Sequence, residues 1–401
     1  MKTPHQPTPT SSFRTLALAA GVLFGASTAV QADDYDWPRM LVIGTPSTQT
    51  ASFASTNGWA PILQKEGGPV VRVIPEDSES MRYRRLTMRK DLQLSSVSAS
   101  EVQGQIEGTD AYAGLPAEQQ RLIWHHNDTP WGLVVAGDSK LQSADDLKKG
   151  DVRISKGIFS PIMGRSVTEA LPAYLGLSKE QAEEKFSYRP ASSYPENCRA
   201  VVEGKADVAW CSPVSSVLSE MEGSPGSIRW LSMDLDDKES WERYLDKRSM
   251  AIPAEITMGV ETAQGVGGVV SNFLYMAPKD TDEELAYQLA KWFHQSYEKY
   301  KKTHPMSARM SLEVFRSYLD RTPLPVHEGT VKYLREIGAW TEEDDAWNQA
   351  AINKMNRWTE ARAAALKEAR EKRVEPRADN PDYAKIFEKH TGDLEGFRSR
   401  L

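Results

Sequence analysis

Two α/β lobes flanking a ligand cleft, followed by a helical C-terminal extension, are the architecture that this 401-residue sequence predicts. Three observations carry the prediction. From Met40 onward, short apolar runs of strand length alternate with amphipathic stretches, the pattern of helices layered on a sheet. A late apolar run, Val269 to Ala277, reads as a strand that returns to the first lobe after the chain has built the second. From Thr341 onward the composition changes: 25 of the last 61 residues are charged, against 26% for the whole chain. Within that stretch Trp347, Ala351, Met355 and Trp358 recur at helical spacing.

The elements follow in order. Met40–Gly44 reads as a buried strand, then a polar loop runs from Thr45 to Thr56 and a helix passes through Trp59, Ile62 and Leu63. Strands are expected at Val70–Ile74 and Leu92–Val97, with a helix at Ser78–Thr87 between them. Ile123–His126 and Trp131–Ala136 read as two strands separated by Pro130, where the chain leaves the first lobe. Ser143 caps a helix with early acids. Val152–Ser155, Phe186–Arg189, Asp207–Cys211 and Ile228–Met233 are extended, and Ile162–Tyr174, Pro195–Glu203 and Ser212–Met221 are helical. Asp282–Lys301 is a long amphipathic helix. The resulting division is 1–32 export signal, 33–137 with 256–340 as lobe 1, 138–255 as lobe 2, and 341–401 as the extension. The stripe in the extension lies against the body or docks a partner.

Lys2 and Arg14 precede and flank an apolar run of 11 residues, Leu16–Ala26, and Val30-Gln31-Ala32 offers small residues for cleavage after Ala32. This is the pattern of export to the periplasm. The run is too short to span about 30 Å of hydrocarbon, and no later stretch approaches about 20 apolar residues, so the protein is not expected to span a membrane. Losing Lys2 and Arg14 takes the formal charge from −7 to −9. That acidic balance argues against nucleic acid and against anionic lipid as partners. Cys198 and Cys211 lie outside any metal-binding spacing, so no metal or cofactor is expected. Whether the two pair is open, since Cys198 reads as helical and Cys211 as a strand end.

Catalytic patterns are missing. There is no GxSxG, GxxxxGK[ST] or HExxH. His125 and His126 are adjacent on a strand, so their rings point to opposite faces and cannot share a metal. The chain is therefore read as a non-enzyme. What remains are hydroxyl-rich loops between a strand and a helix, where ligands gather in open α/β sheets. Ser47, Thr48 and Ser52 follow the first strand, Ser98 the third, and Phe159, Ser160 and Arg165 the first strand of lobe 2. Hydroxyls and Arg165 would hold a carboxylate. Tyr194 either contacts ligand or caps the helix after it, and Trp210 and Phe159 either wall the cleft or pack the core.

Several segments together resemble the TAXI-type solute-binding subunits of tripartite ATP-independent periplasmic (TRAP) transporters. They are Ile43-Gly44-Thr45 with its Ser/Thr-rich loop, Glu203 to Ala209 (EGKADVA), Ser224 to Leu231 (SPGSIRWL) and Pro323 to Tyr333 (PLPVHEGTVKY). The resemblance runs from about Met40 to about Trp340. It implies a two-lobed periplasmic-binding-protein-like fold (type II), a small organic or amino acid in the cleft, and delivery to the membrane permease of a TRAP transporter. A sensory or adaptor protein of the same fold is the alternative, and a periplasmic enzyme a more distant one. The chain departs from the family where Pro46, Gln49, Thr50 and Ala51, and Phe159 to Ile162, replace glycine-rich loops. His327, within the last motif, reads as structural.

Overall fold

Ten strands and the helices between them are laid out in a computed structural model that describes residues 35–400; the export-signal reading lies outside the described residues. The strands are β1 (Met40–Thr45), β2 (Val70–Pro75), β3 (Leu94–Ser98), β4 (Gln120–Ala136) and β5 (Val152–Gly157). They continue with β6 (Phe186–Ala191), β7 (Ala209–Cys211), β8 (Ile228–Leu231), β9 (Ile252–Glu255) and β10 (Gly267–Pro278). Eight form one sheet in the order β2-β1-β3-β10-β4-β7, with β8 added to β4 and β9 to β10, while β5 and β6 pair separately. β1, β2 and β3 are parallel, and β10 inserts antiparallel between β3 and β4.

The sequence reading split β4 at Pro130, and the structure corrects it: one strand of 17 residues runs through. β10 pairs with β4 as far as Trp131, whereas β7 and β8 join only from Gly132 onward. Pro130 thus stands before the second edge is occupied, where its missing N–H removes little from the ladder. β4 thus pairs with β10 along its first part and with β7 and β8 at its far end. Around the distal end of β4, side chains alternate between two cores. Leu133 and Val135 pack with Leu147, Ile154 and Trp241, while Val134 packs with Tyr194, Cys198 and Leu218.

Other differences are local. The helix after β1 spans Ala51–Lys65, capped by Thr50, so the polar loop is shorter than read and Ser52 sits in the first helical turn. β3 passes directly into the Ala99–Glu107 helix at Ser98, which caps it, so there is no loop there. The stretch from Ile162 to Tyr174 is helical but carries a π turn at Ser166–Ala170.

Cys198 and Cys211 are bonded, with Cα atoms 6.0 Å apart. Cys198 lies in the Tyr194–Arg199 helix and Cys211 ends β7, so the bond ties the two elements together. Closing so short a loop restricts the unfolded chain. Replacing both cysteines by alanine is expected to lower stability by about 3 kcal/mol in urea unfolding, and an unchanged midpoint would refute this.

The two adjacent histidines are fully buried. His125 Nδ1 meets Asn272 Oδ1 at 2.8 Å, and His126 sits between the hydroxyls of Ser55 (2.6 Å) and Ser96 (2.7 Å). Burial drives the pKa of His125 down to about 4 and that of His126 well below the ordinary value of 6.5. Both are neutral in the folded protein but protonate freely once unfolded. Stability from these groups is therefore complete above pH 6.5 and falls as pH drops toward 4, because the unfolded state binds more protons in that window. His125 alone accounts for about 3 kcal/mol. Urea midpoints measured between pH 7 and 4.5 should decline, and the H125N variant should flatten the decline.

The C-terminal extension is a helix, Glu342–Glu371, and a second, Pro381–Thr391. Trp347, Ala351, Met355 and Trp358 are buried, and the face continues through Arg362, Ala365 and Ala369. Among the described residues no helix is long and apolar enough to cross a membrane, and no cluster of His, Cys, Asp and Glu could hold a metal.

Candidate functional site

A cavity of about 70 Å³ lies between the lobes. That is well above the roughly 10–15 Å³ that a single water needs, so the cavity can hold a compact solute. The N-terminal segments contribute the start of the 51–65 helix (Ala51, Ser52), Asp77, the Glu79–Thr87 helix (Glu79, Arg82), and the start of the 99–107 helix (Ser98, Glu101). The shared strands contribute Thr129, Trp131, Ser271 and Phe273. The segments between β4 and β10 supply Phe159, Ser160, Ile162, Met163, Ser166, Tyr194, Trp210, Ser212 and Arg248.

Six of the nine residues singled out in the sequence, Ser52, Ser98, Phe159, Ser160, Tyr194 and Trp210, line this one cavity. Three do not. Ser47 accepts its role in the loop instead: its N–H donates to Asp77 Oδ1 at 3.0 Å. Thr48 faces a separate surface groove with Gln49 and Glu222. Arg165 is turned away, held by Glu169 at 3.1 Å and by the carbonyl of Lys247 at 3.2 Å. On a helix, a residue five positions beyond the cap points away from where the cap points, so Arg165 follows the neighbouring acid. His327 Nδ1 accepts from the Gly329 N–H, capping its helix, and its other nitrogen lies 3.1 Å from Thr281 O.

The two guanidiniums of the cavity are Arg82 and Arg248, neither singled out in the sequence. Glu79, Arg82, Tyr83 and Leu86 share the buried face of their helix. Charged residues at inward positions of a short amphipathic helix were the available signal. Arg82 Nη2 lies 2.9 Å from both oxygens of Glu101, and Nη1 is 2.5 Å from Glu76 O. Burial pushes the Glu101 carboxyl upward against the guanidinium, while Glu101 and Glu79 outweigh burial and raise Arg82. The hydrogen bonds place the proton on the guanidinium. Both Glu101 oxygens accept from Arg82 and one also accepts from Gln105 Nε2 at 3.2 Å, so the pair is ionised.

Arg248 differs. It is 4% exposed, and Nη1 donates to Ile162 O at 3.1 Å and to the Ser166 hydroxyl. Among the described residues no carboxylate touches it and its Nε has no hydrogen-bond partner, and burial lowers its pKa. The π turn is what brings Ser166 to it; such turns often mark functional sites.

Contacts at the rim join the lobes. Ser160 Oγ donates to Glu79 Oε1, and Glu79 N donates to Phe159 O at 3.3 Å. Asp77 accepts from the Tyr194 N–H at 3.3 Å, and Ser216 N donates to Gln49 O at 3.3 Å. Tyr194 is anchored by Ser215 Oγ (2.7 Å) and the Ser212 N–H (3.0 Å). Trp210 both lines the cavity and packs in the lobe core, so the two roles left open for it coincide.

No curated protein shows significant sequence similarity to the chain. Among solved structures, a malate-bound protein from Rhodopseudomonas palustris shares 11% identity at a TM-score of 0.44, over 81% of this chain and 99% of that one. A binding-protein component of a phosphonate transporter from Pseudomonas aeruginosa shares 12% at 0.41, over 89% and 99%. The substrate-binding protein of an amino acid transporter shares 12% at 0.38, over 66% and 96%. A family model matches residues 43–338, which is most of the chain and every lobe element that lines the cavity, and the chain belongs to the NMT1-like family.

Proposed function

We propose that the protein is an extracytoplasmic solute receptor that captures a small carboxylate-bearing molecule by closure of its lobes and passes it to the permease of a TRAP-type transporter. The lobes are taken as 33–137 with 256–340, and 138–255, with residues 1–32 removed on export to the periplasm. The single observation that supports the reading best is Arg248: a buried guanidinium without a carboxylate partner, at a cavity enclosed by both lobes. Such a charge is stabilised when a ligand supplies the missing anion. Apolar walls from Trp131, Phe159, Met163 and Phe273 suit the remainder of a small molecule. The chemistry asked of the site is binding alone, with no bond made or broken.

Native mass spectrometry of the purified protein, followed by release and identification of the co-purifying molecule, tests the receptor reading. A solute that prefers the folded state also raises the melting temperature. Recovery of a multi-span membrane partner tests delivery, whereas recovery of a kinase would favour a sensory role. Arg248→Ala is expected to weaken binding of that solute by about 2–3 kcal/mol, measured by calorimetry. Arg165→Ala, outside the cavity, should leave it unchanged.

A further inference from the structure

The ligand class can be narrowed further, on the basis of the receptor reading above. We propose that the cavity is built for a compact monocarboxylate: Arg248 holds its one charged group, the aromatic walls hold its carbon skeleton, and Glu79 contributes a hydrogen bond rather than a charge.

The argument begins with the positive charges. Two guanidiniums line the cavity, and one is already matched, since Arg82 lies against both oxygens of Glu101. Only the charge of Arg248 is left without a contacting anion among the described residues of the cavity. A dicarboxylate would bring a second negative charge with no unmatched cation to meet it, and burying that charge is strongly unfavourable.

The negative side disfavours amino acids. An ammonium group is held best by a carboxylate whose lone pairs no other donor has taken. Asp77 already accepts the N–H groups of Ser47 and Tyr194, one on each oxygen, so an ammonium would have to share an oxygen with a backbone donor, and Glu101 is committed to Arg82 and Gln105. Glu79 alone keeps an unpartnered buried oxygen, Oε2. Yet Glu79 is 8% exposed, makes no salt bridge, and is held by the Ser160 hydroxyl on its other oxygen. Burial raises its pKa, which favours the neutral acid. A protonated Oε2 is a donor, suited to a ligand oxygen and not to an ammonium. Finally, the small volume of the cavity suits a compact solute.

Calorimetry and thermal shift with three sets of probes test this: propionate, butyrate, lactate and pyruvate; succinate and malate; alanine, serine and glutamate. At least one monocarboxylate is expected to bind more than about tenfold tighter than any member of the other sets. Arg248→Met should weaken that binding by about 30-fold or more, with Arg248→Lys retaining part of it. Glu79→Gln, which keeps a neutral donor at that place, should lose less affinity than Glu79→Ala, which removes it. Tightest binding by an amino acid, with Glu79→Gln abolishing it, would overturn the proposal, as would tightest binding by a dicarboxylate. In each of those cases the receptor reading stands. Absence of any bound or co-purifying solute would remove the receptor reading itself. Melting curves of the variants establish that each is folded.

Discussion

Replacing Arg362 by methionine is expected to lower the unfolding free energy by about 3–5 kcal/mol, a large share of the stability of an ordinary domain. Arg362 is fully buried near the middle of the long C-terminal helix. Its guanidinium donates to four main-chain carbonyls: Gln105 (2.6 Å), Ile106 (3.2 Å), Tyr112 (2.6 Å) and Leu115 (2.6 Å). The first two belong to the last turn of the 99–107 helix, whose terminal carbonyls lack intrahelical donors. A cation at that end also meets the negative pole of the helix dipole. Hydrogen bonds to a charged group contribute about 1.5–3 kcal/mol each, but burial of the ion, which lowers its pKa, offsets part of the total. The fit is close: Gly108 has φ of 73°, and a Cβ there would fall 2.4 Å from Arg362 Nε. Gly108→Ala should therefore destabilise through both backbone strain and collision. Urea unfolding monitored by tryptophan fluorescence measures both. A loss below about 1 kcal/mol for Arg362→Met would mean that water satisfies those carbonyls as well as the arginine does.

Arg82→Ala is expected to cost a similar amount, about 3–5 kcal/mol, because it strands the Glu101 carboxylate in a site where both side chains are 2% exposed. The double variant Arg82→Met with Glu101→Met should be much less destabilised than the single one, since it removes both charges together. That comparison separates a penalty for an unpaired charge from a loss of packing volume. If the double variant were as unstable as the single one, the ion pair would not be the source of the effect. Arg82→Ala should also protonate Glu101 near neutral pH, visible as a shift in its carboxyl carbon signal by NMR.

The fold was more legible in the sequence than the site. Strands such as Met40–Gly44 and Asp207–Cys211 announce themselves by apolar residues bounded by turn formers, and nothing in the tertiary structure competes with that signal. Pro130 misled because proline is a breaker in a sheet interior but tolerable where one edge of the strand is still open. In the site, hydroxyls at strand ends were readable because caps and cavity share the same positions; Ser98 and Ser160 do both. Arginines were not. Arg165 looked well placed by its closeness in sequence to Ser160, whereas Arg248 lies 88 residues further on and reaches the cavity through a helix end that local pattern does not reveal. Which guanidinium is matched by a carboxylate depends on contacts such as Arg82 with Glu101, 19 residues apart, and no periodicity encodes that.

The pairing of β4 with β10 has a mechanical consequence. β4 and β10 lie side by side over ten paired positions, from Gln120 with Pro278 to Trp131 with Val269. A doubled ribbon of this kind resists bending across its bonds but yields to wringing along its length. Gaping of the molecule would then be a torsion spread over many peptide units, with each dihedral changing little. Deuterium uptake should accordingly stay slow in both strands whether or not solute is present, and the contrast should appear at the rim, around Gln49, Glu79 and Ser216.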